Sequence, residues 1–559
     1  MAATGEHAGP DAHLAGHGGT LAVAAAQAHG VDTVFTLSGA HVFPVYDAAV
    51  NADPPVRLVD VRHEATAVFA AEATARLTRT PGLAVVTAGP GVTNSISAVT
   101  TAFLAGSPVV VLGGRAPQSR WGTGALQELD QPPLLTPITK SARTVHDVAA
   151  LYTEVDAAFS LAGAAHRGPV FLDIPIDQVF ASADVPTAPA APLPRPAPDP
   201  EAVAAVGALL ARASRPVMVL GSDVWADRAE DAAVALVEAL GAPVVTNGMG
   251  RGLLPPGHPL LVTRARRAAL AGADLVVVVG TSLDFRLGYG VFGSDRAHPT
   301  PVCHLADAPD QLARHLPLAA SAAGDLGIVC DGVRSAWEAQ GSHALDPAWP
   351  VAMRAAADAA ARRDATDLAS AADPIHPARI YGELLPRLAP DSVVIGDGGD
   401  FVSFAGRYVE PARPGGWLDP GPFGCLGTGL GYAMAARLAR PSAQVVLLLG
   451  DGAAGFSLMD VDSLVRHQLP VTMVVGNNAG WGLERHPMRS LFGYDVAADL
   501  APATRYDQVV AALGGAGELV ADPRGIGAAL DRGLNAGVPY LVNVVTDPDV
   551  AYPRRTTGV

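Results

Sequence analysis

Strand-length runs of aliphatic residues recur along the whole chain and most of them end in glycine, as in LVVVV at Leu275–Val279 and VVLLL at Val445–Leu449. A run that is apolar on both faces must be covered on both faces. Alternating with alanine-rich helical stretches, such runs specify a parallel α/β architecture. DTVFTL, RLVDV, GLAVVTAG, PVVVLGG and GPVFLDIP read as strands in the first third, with EATAVFAAEATARLT among the helical segments between them. PVMVLGS, APVVTNG, ADLVVVVG and PVCHLA repeat the pattern in the middle, and DSVVIGDGG, QVVLLLGDG, PVTMVVGNN and PYLVNVV at the end. None of these runs approaches the roughly 18 apolar residues of a membrane span.

A length of 559 residues exceeds what one hydrophobic core organises, so the pattern predicts three α/β domains with parallel sheets flanked by helices. The expected order is a flexible leader (1–17), a first domain (18–182), a Pro/Ala linker (183–200), a central domain (201–340), a polar helical connector (341–375) and a last domain with its tail (376–559). The linker ADVPTAPAAPLPRPAPDPE is too rich in proline for regular helix or sheet. The first and last domains are candidates for a distant duplication that their sequences do not show. The opening residues lack the basic start and apolar stretch of a secretion signal. Cys303, Cys330 and Cys425 lie far apart, without a zinc or disulfide spacing, so a reduced cytoplasm is the expected setting. A net charge of −16 argues against nucleic acid as a partner, although it leaves room for a local basic pocket.

The sharpest local signal is GDGAAGFSLMDVDSLVRHQLPVTMVVGNN, Gly450 to Asn478. Each of its polar ends closes an apolar strand, and the carboxyl ends of strands are where open α/β sheets bind ligands. Asp451 offers a hard carboxylate and Asn478 a neutral carbonyl oxygen, a set suited to magnesium. Gly450, Gly452 and Gly455 would let a diphosphate approach the backbone. Either end alone could be an ordinary strand-to-loop turn.

The segment resembles the thiamine-diphosphate fingerprint that starts with GDG and ends with NN. By that resemblance the metal ligands are Asp451, Asn478 and the Gly480 backbone, with Gly450, Gly452, Ala453, Ala454 and Trp481 around the cofactor. DVRHEATAVFAAEATAR resembles the family's strand-then-HE segment, which puts Glu64 on the carboxylate that activates the aminopyrimidine ring. AGPGVTNSISAV resembles its GPG segment, with Pro90 and Asn94, and TLSGAHVFPVYDAA its first loop, with Gly39. In WLDPGPFGCLGTGLGYAMAA, Gly424 and Leu426 match the stretch whose bulky apolar residue bends the cofactor into a V. ALQELDQPPLLTPITK resembles a QE segment that places Gln127 near the thiazolium.

The resemblance runs from about Gly18 to Asp547. It identifies the chain as a member of the acetolactate synthase, 2-hydroxyacyl-CoA lyase and oxalyl-CoA decarboxylase family, nearest to 2-hydroxyacyl-CoA lyase. LDPGPFGCLGTGLGYA, AAGFSLMDVDSLVRHQLPV and RRAALAGADLVVVVGTSLDFRLGYG carry the lyase likeness. It implies cleavage of a 2-hydroxyacyl-CoA to formyl-CoA and an aldehyde or ketone. The alternative is acetolactate synthase chemistry on two 2-keto acids, for which Arg286 matches a substrate-carboxylate arginine. After NN this chain reads NNAGWGLERHPM, with Pro487 where acetolactate synthases carry a tryptophan, and Glu484 and His486 nearby. A carboxylate there can serve as acid or base, and it repels a keto-acid carboxylate. Arg264, Arg266 and Arg267, with Arg554 and Arg555 in the tail, are the candidate cations for CoA phosphates. The middle domain is a candidate holder of FAD or of the ADP part of CoA. In the family Glu64 and Asp451 meet from different subunits, which implies a homodimer or homotetramer. A non-catalytic homologue would be expected to have lost one of these two carboxylates.

Overall fold

A computed structural model describes residues 13–187, 193–295, 297–341 and 343–553. The chain forms two compact units, one from the N-terminal part to Pro194 together with Phe423–Ala439, the other from Arg195–Pro422 and from Arg440 onward.

The first unit is built on a parallel six-stranded sheet of β2 (Thr33–Thr36), β3 (Arg57–Asp60), β4 (Gly82–Val86), β5 (Val109–Arg115), β6 (Ser141–Thr144) and β7 (Val170–Pro175), ordered β3-β2-β4-β5-β7-β6. Its central strands β4, β5 and β7 are buried along their whole length, as their two-faced apolar sequences require. Helix Gly429–Ala439 packs on helix Glu64–Thr78. Between them the fully buried Glu72 carboxylate accepts hydrogen bonds from Tyr432 at 2.7 Å and Ser107 at 3.2 Å, with Arg76 at 3.6 Å.

Two expectations are corrected in this unit. His13–His17 (β1), assigned to the leader, pairs antiparallel with Ser182–Pro186 (β8), all but the first residue of which was assigned to the proline-rich linker. The prolines do not forbid this, because β8 closes on Pro186 in a two-stranded ribbon that needs pairing on one side only.

The second unit holds two parallel sheets. One is ordered β10-β9-β11-β12-β13, from β9 (Pro216–Leu220), β10 (Val244–Thr246), β11 (Leu275–Val279), β12 (Val302–Ala306) and β13 (Ala320–Ala323). The other is ordered β15-β14-β16-β17-β19-β18, from β14 (Val393–Asp397), β15 (Trp417–Leu418), β16 (Val445–Gly450), β17 (Thr472–Asn477), β18 (Ala516–Val520) and β19 (Tyr540–Val545). This sheet repeats the strand order of the first unit's sheet, strand for strand. The two sheets therefore share one topology. In both sheets the order reverses between the first and third strands, and that switch point is where such sheets bind ligands. The connector 341–375 contains helix Ala348–Leu368. Among the described residues, no helix is long and apolar enough to cross a membrane.

Candidate active site

At the switch point of the last sheet, β14 and β16 end side by side. Gly398, with φ +134°, lies so close to Gly450 that an added Cβ would come within 3.0 Å of its backbone nitrogen. Asp451 follows β16 directly and is 3% exposed. Its carboxylate accepts the Gly452 amide at 2.9 Å and the Gly480 amide at 3.2 Å, so it ties the GDG turn to the loop after β17. Burial pushes the Asp451 carboxyl up to about 6, against the downward pull of the Gly452, Gly480 and Ala479 amides. A desolvated carboxylate of this kind lacks a counter-charge that a divalent cation would supply. The residues therefore fit the metal that the sequence implies.

The glycines of this turn differ in role. A Cβ on Gly450 or Gly455 would meet nothing within 4 Å, whereas one on Gly452 would strike the Trp481 ring at 2.6 Å. Gly452 is thus required by packing against Trp481, which also meets Phe456 edge-on at 6.3 Å. Ala453 and Ala454 are buried in the short helix Asp451–Ser457.

The asparagine that ends β17 and the one that follows it differ in their surroundings. Asn477 is buried and donates to Thr504 O at 3.2 Å and Asn543 Oδ1 at 3.1 Å, an anchor between strands. Asn478 is half-buried beyond the strand end, at the start of the Gly480 loop. Arg485, which the sequence reading passed over, is 3% exposed and donates to the carbonyls of Asn478 at 3.3 Å and Ala479 at 2.7 Å. Its neighbours Glu484, exposed, and His486, half-buried, lie on the same helix, Gly482–Phe492. Residues two apart on a helix do not face each other, so Glu484 and His486 act separately. The Nε2 of His486 is enclosed without a hydrogen-bond partner among the described residues. We expect Gly480→Ala to cost at least about tenfold in metal affinity, because its Cβ would sit 2.0 Å from Arg485 Nη2. A magnesium titration of the purified variant measures this.

In the first unit the predicted residues gather at the equivalent switch point. Glu64 opens helix Glu64–Thr78 just after β3, is 7% exposed, and accepts the Asn94 amide at 3.0 Å. Gly39, after β2, is pressed against Thr87, where a Cβ would come within 2.2 Å of the Thr87 side chain. Gly89 has φ +58° and ψ −108°, a conformation open to glycine, and Pro90 starts the turn of helix that leads to Asn94. Gln127 lies against Gly89 and is itself held at φ +61°, a strained position for a side chain of its size. The fully buried Gln131, also missed in the sequence, fixes this loop. It accepts the Gly89 amide at 2.7 Å and donates to Gly114 O at 3.0 Å and Asp173 at 2.9 Å, with Arg115 on the same Asp173 at 2.8 Å. Gly424, at φ +68°, is exposed, and Leu426 is half-buried ahead of helix Gly429–Ala439.

Within the second unit, a cavity of about 930 Å³ is walled by Arg251, Arg264, Arg266, Arg267, Arg286, Arg363 and Arg407, with Asp364, Asp419 and Tyr552 also on its lining. Several of these cations are committed. Arg264 and Arg407 both bind Asp364, and Arg251 donates to Gly406 O at 2.7 Å and Val409 O at 2.8 Å. Arg286 forks onto Asp284 with contacts of 3.0 and 2.6 Å, and Arg266 donates to Arg286 O at 2.6 Å. Burial, then Arg251 and Arg286, pulls the Arg266 guanidinium down to about 10, with the Asp284 charge pulling the other way, and Arg266 has no ion pair among the described residues. Arg267 and Arg363 are exposed and have no ion pair among the described residues. Arg554 and Arg555 lie outside the described residues.

Helix Asp400–Tyr408 connects this cavity to the Asp451 turn. Its first residue lies under Gly482, where a Cβ would meet the Asp400 side chain at 3.0 Å, and its last turn supplies Gly406 and Arg407 to the cavity wall. At 1.5 Å per residue the two ends are roughly 10 Å apart.

Family models of thiamine pyrophosphate enzymes match the chain in three places: the N-terminal TPP binding domain over residues 16–134, the central domain over 203–333 and the C-terminal TPP binding domain over 397–544. The chain belongs to the thiamine pyrophosphate enzyme family. Glu64 falls within the N-terminal match and Asp451 within the C-terminal one. The chain is 47% identical over 546 residues to the acetolactate synthase large subunit of Mycobacterium tuberculosis, covering 97% of each. It is 37% identical over 551 residues to the human 2-hydroxyacyl-CoA lyase 2, covering 90% of this chain and 85% of the human one. Against 2-hydroxyacyl-CoA lyase 2 of Caenorhabditis elegans it is 36% identical over 549 residues, covering 90% and 84%. Both activities suggested by the sequence are thus represented among its thiamine-enzyme relatives, with the higher identity to the acetolactate synthase.

Proposed function

We propose that this thiamine pyrophosphate enzyme is a carbon–carbon lyase and carboligase of CoA thioesters, a 2-hydroxyacyl-CoA lyase that reversibly releases formyl-CoA and an aldehyde or ketone. The observation that carries the reading is the arginine-walled cavity at one end of helix Asp400–Tyr408, with the Asp451 turn at the other. Arg266, Arg267 and Arg363, which carry no ion pair among the described residues, still exceed the need of a small keto acid and suit a ligand with several phosphates. The roughly 10 Å between the ends suits a substrate whose reacting carbon is carried on a flexible arm.

Thiamine diphosphate, when bound, supplies the nucleophilic carbon and the electron sink. Asp451, Asn478 and the Gly480 carbonyl would hold its magnesium, and Leu426 and Trp481 would pack against it. Glu64 would hold a proton at the aminopyrimidine nitrogen. Glu484 would accept the proton of the substrate's 2-hydroxyl, with Gln127 and His486 near the reacting atoms. Arg266, Arg267 and Arg363 would bind the CoA phosphates, in the place where the alternative ligand is FAD. The active form would contain at least two chains, Glu64 coming from one and Asp451 from the other.

A second reading, acetolactate synthase chemistry, is favoured by the 47% identity to a protein of that name. Arg286 speaks against it, because Asp284 already neutralises the guanidinium that would receive the keto-acid carboxylate. The two readings separate on incubating the purified protein with thiamine diphosphate, magnesium and either formyl-CoA plus an aldehyde or ketone, or pyruvate alone. A 2-hydroxyacyl-CoA product is expected from the first mixture. Acetolactate formed from pyruvate at ordinary turnover would overturn the lyase reading. The double variant Arg267→Ala/Arg363→Ala should raise KM for the CoA substrate about 10-fold or more with kcat largely kept, since each removes a charge-assisted hydrogen bond made equally before and during reaction. An unchanged KM would remove this cavity from substrate binding.

A further inference from the structure

We propose that Arg485 is a positioning residue for the metal: it selects which carbonyl of the Asn478–Gly480 loop is free to face the cation. The inference rests on reading Asp451 as a metal ligand. Three successive carbonyls follow the end of β17, and the proposed ligand set takes one of them, that of Gly480. The guanidinium of Arg485 is buried beneath this loop and donates from Nη1 to Asn478 O at 3.3 Å and from Nη2 to Ala479 O at 2.7 Å. Ala479 O is taken a second time by the Leu500 amide at 2.9 Å, and Trp481 N bonds to Ala498 O at 2.8 Å, the two bonds that flank the antiparallel bridge between Gly480 and Asp499. Gly480 sits at the non-bonded position of that bridge. Its carbonyl is thus left out of both the bridge and the arginine fork, while its amide reaches Asp451 at 3.2 Å.

The fork also fixes the loop's shape. Ala479 has φ +54°, a left-handed conformation that an alanine holds only when its surroundings impose it. Arg485 Nη2 fills the space that a side chain at position 480 would need. The arginine is itself held from the far side, with Nη2 at 2.7 Å from Asp499 Oδ1 and Nε at 3.8 Å from Asp495 Oδ2. A planar, rigid fork can hold two carbonyls and a carboxylate at once, and a lysine ammonium cannot reproduce that geometry.

The test is a magnesium titration of the purified full-length chain at saturating thiamine diphosphate, read by intrinsic fluorescence, for which Trp481 lies beside the loop. Arg485→Ala should raise the apparent Kd for magnesium about 10- to 100-fold, the usual loss when a group that orients metal ligands is removed. Arg485→Lys should recover part of that loss. Asp499→Asn, at an exposed side chain, should cause a smaller loss in the same direction. Thermal melts of the cofactor-free variants establish folding. If Arg485→Ala fails to fold, the other two variants decide, and an unchanged magnesium Kd in both overturns the proposal. A folded Arg485→Ala with magnesium affinity within about twofold of the parent overturns it too. Asp451→Asn serves as the reference. If that variant keeps its magnesium affinity, the metal reading itself falls, and the two failures are distinguishable.

Discussion

Asp451→Asn is expected to fold and yet fail to retain thiamine diphosphate, with apparent affinity for the magnesium–cofactor pair down at least about 100-fold and turnover lost with it. In the proposed site this carboxylate would offer its formal charge to the cation, and its two oxygens also hold the Gly452 and Gly480 amides. An Asn amide can satisfy only one of those N–H groups and turns a second donor toward the other. Cofactor retained on desalting, quantified by absorbance, measures the outcome, and stoichiometric retention by the variant would sink the metal assignment. A second signature follows from burial, which raises this carboxyl to about 6. An acid whose folded pKa lies above its unfolded value destabilises the fold more as pH climbs between the two. Without metal, the stability difference between Asp451→Asn and the parent should therefore move in the variant's favour by about 1 kcal/mol from pH 5 to pH 7.5. Denaturant unfolding in a chelator at the two pH values reads it.

The strands at the middle of each sheet were legible because they are apolar on both faces. LVVVV, VVLLL and GLAVV can only be interior strands. Those that escaped are SART (β6), ASAA (β13), WL (β15) and AGELV (β18), and each lies at the edge of its sheet. An edge strand is covered less completely, so its sequence is free to be short or small. The β1–β8 ribbon escaped for a related reason, since HLAGH and SADVP carry no apolar run.

The same division holds in the site. Asp451 was legible because a carboxylate between glycines at the end of a buried strand has few structural uses. Arg485 was not, because its task is to hold main-chain carbonyls, and nothing in GLERHPM says which of its charged residues turns inward. Gln131 was hidden in the same way behind Gln127: both lie in ALQELDQPP, yet only the structure distinguishes the glutamine buried on Asp173 and the Gly89 amide from the strained one. The arginine cavity is half legible. Arg264, Arg266, Arg267 and Arg286 stand out in the sequence as candidate cations, whereas Arg251, Arg363 and Arg407 come from distant segments that only folding brings together. Even for these residues, sequence does not tell the committed cation Arg264 from Arg267, which has no ion pair among the described residues.

Glu64→Gln should lower kcat roughly 10²- to 10⁴-fold while changing affinity for the cofactor by less than about tenfold. Glu64 is buried at the first turn of its helix, where His63 Nδ1 already accepts the Ala65 amide and Asn94 donates to Glu64 Oε2. Glutamine matches its shape and can still accept from Asn94, so the packing survives and only the carboxylate is lost. A merely electrostatic partner of the helix N-terminus would cost about 1 kcal/mol of stability or less and leave turnover alone. A folded variant with full kcat would therefore assign Glu64 to the helix and not to the chemistry. If Glu64 and Asp451 meet across a subunit boundary, the two dead variants should rescue each other. In a mixed dimer of Glu64→Gln and Asp451→Asn chains, one site receives both wild-type carboxylates and the other receives neither. Co-expression with two different tags and tandem purification would then recover up to about half the parental activity per mixed dimer. The absence of any recovery in a verified mixed dimer would place both carboxylates of each site in a single chain.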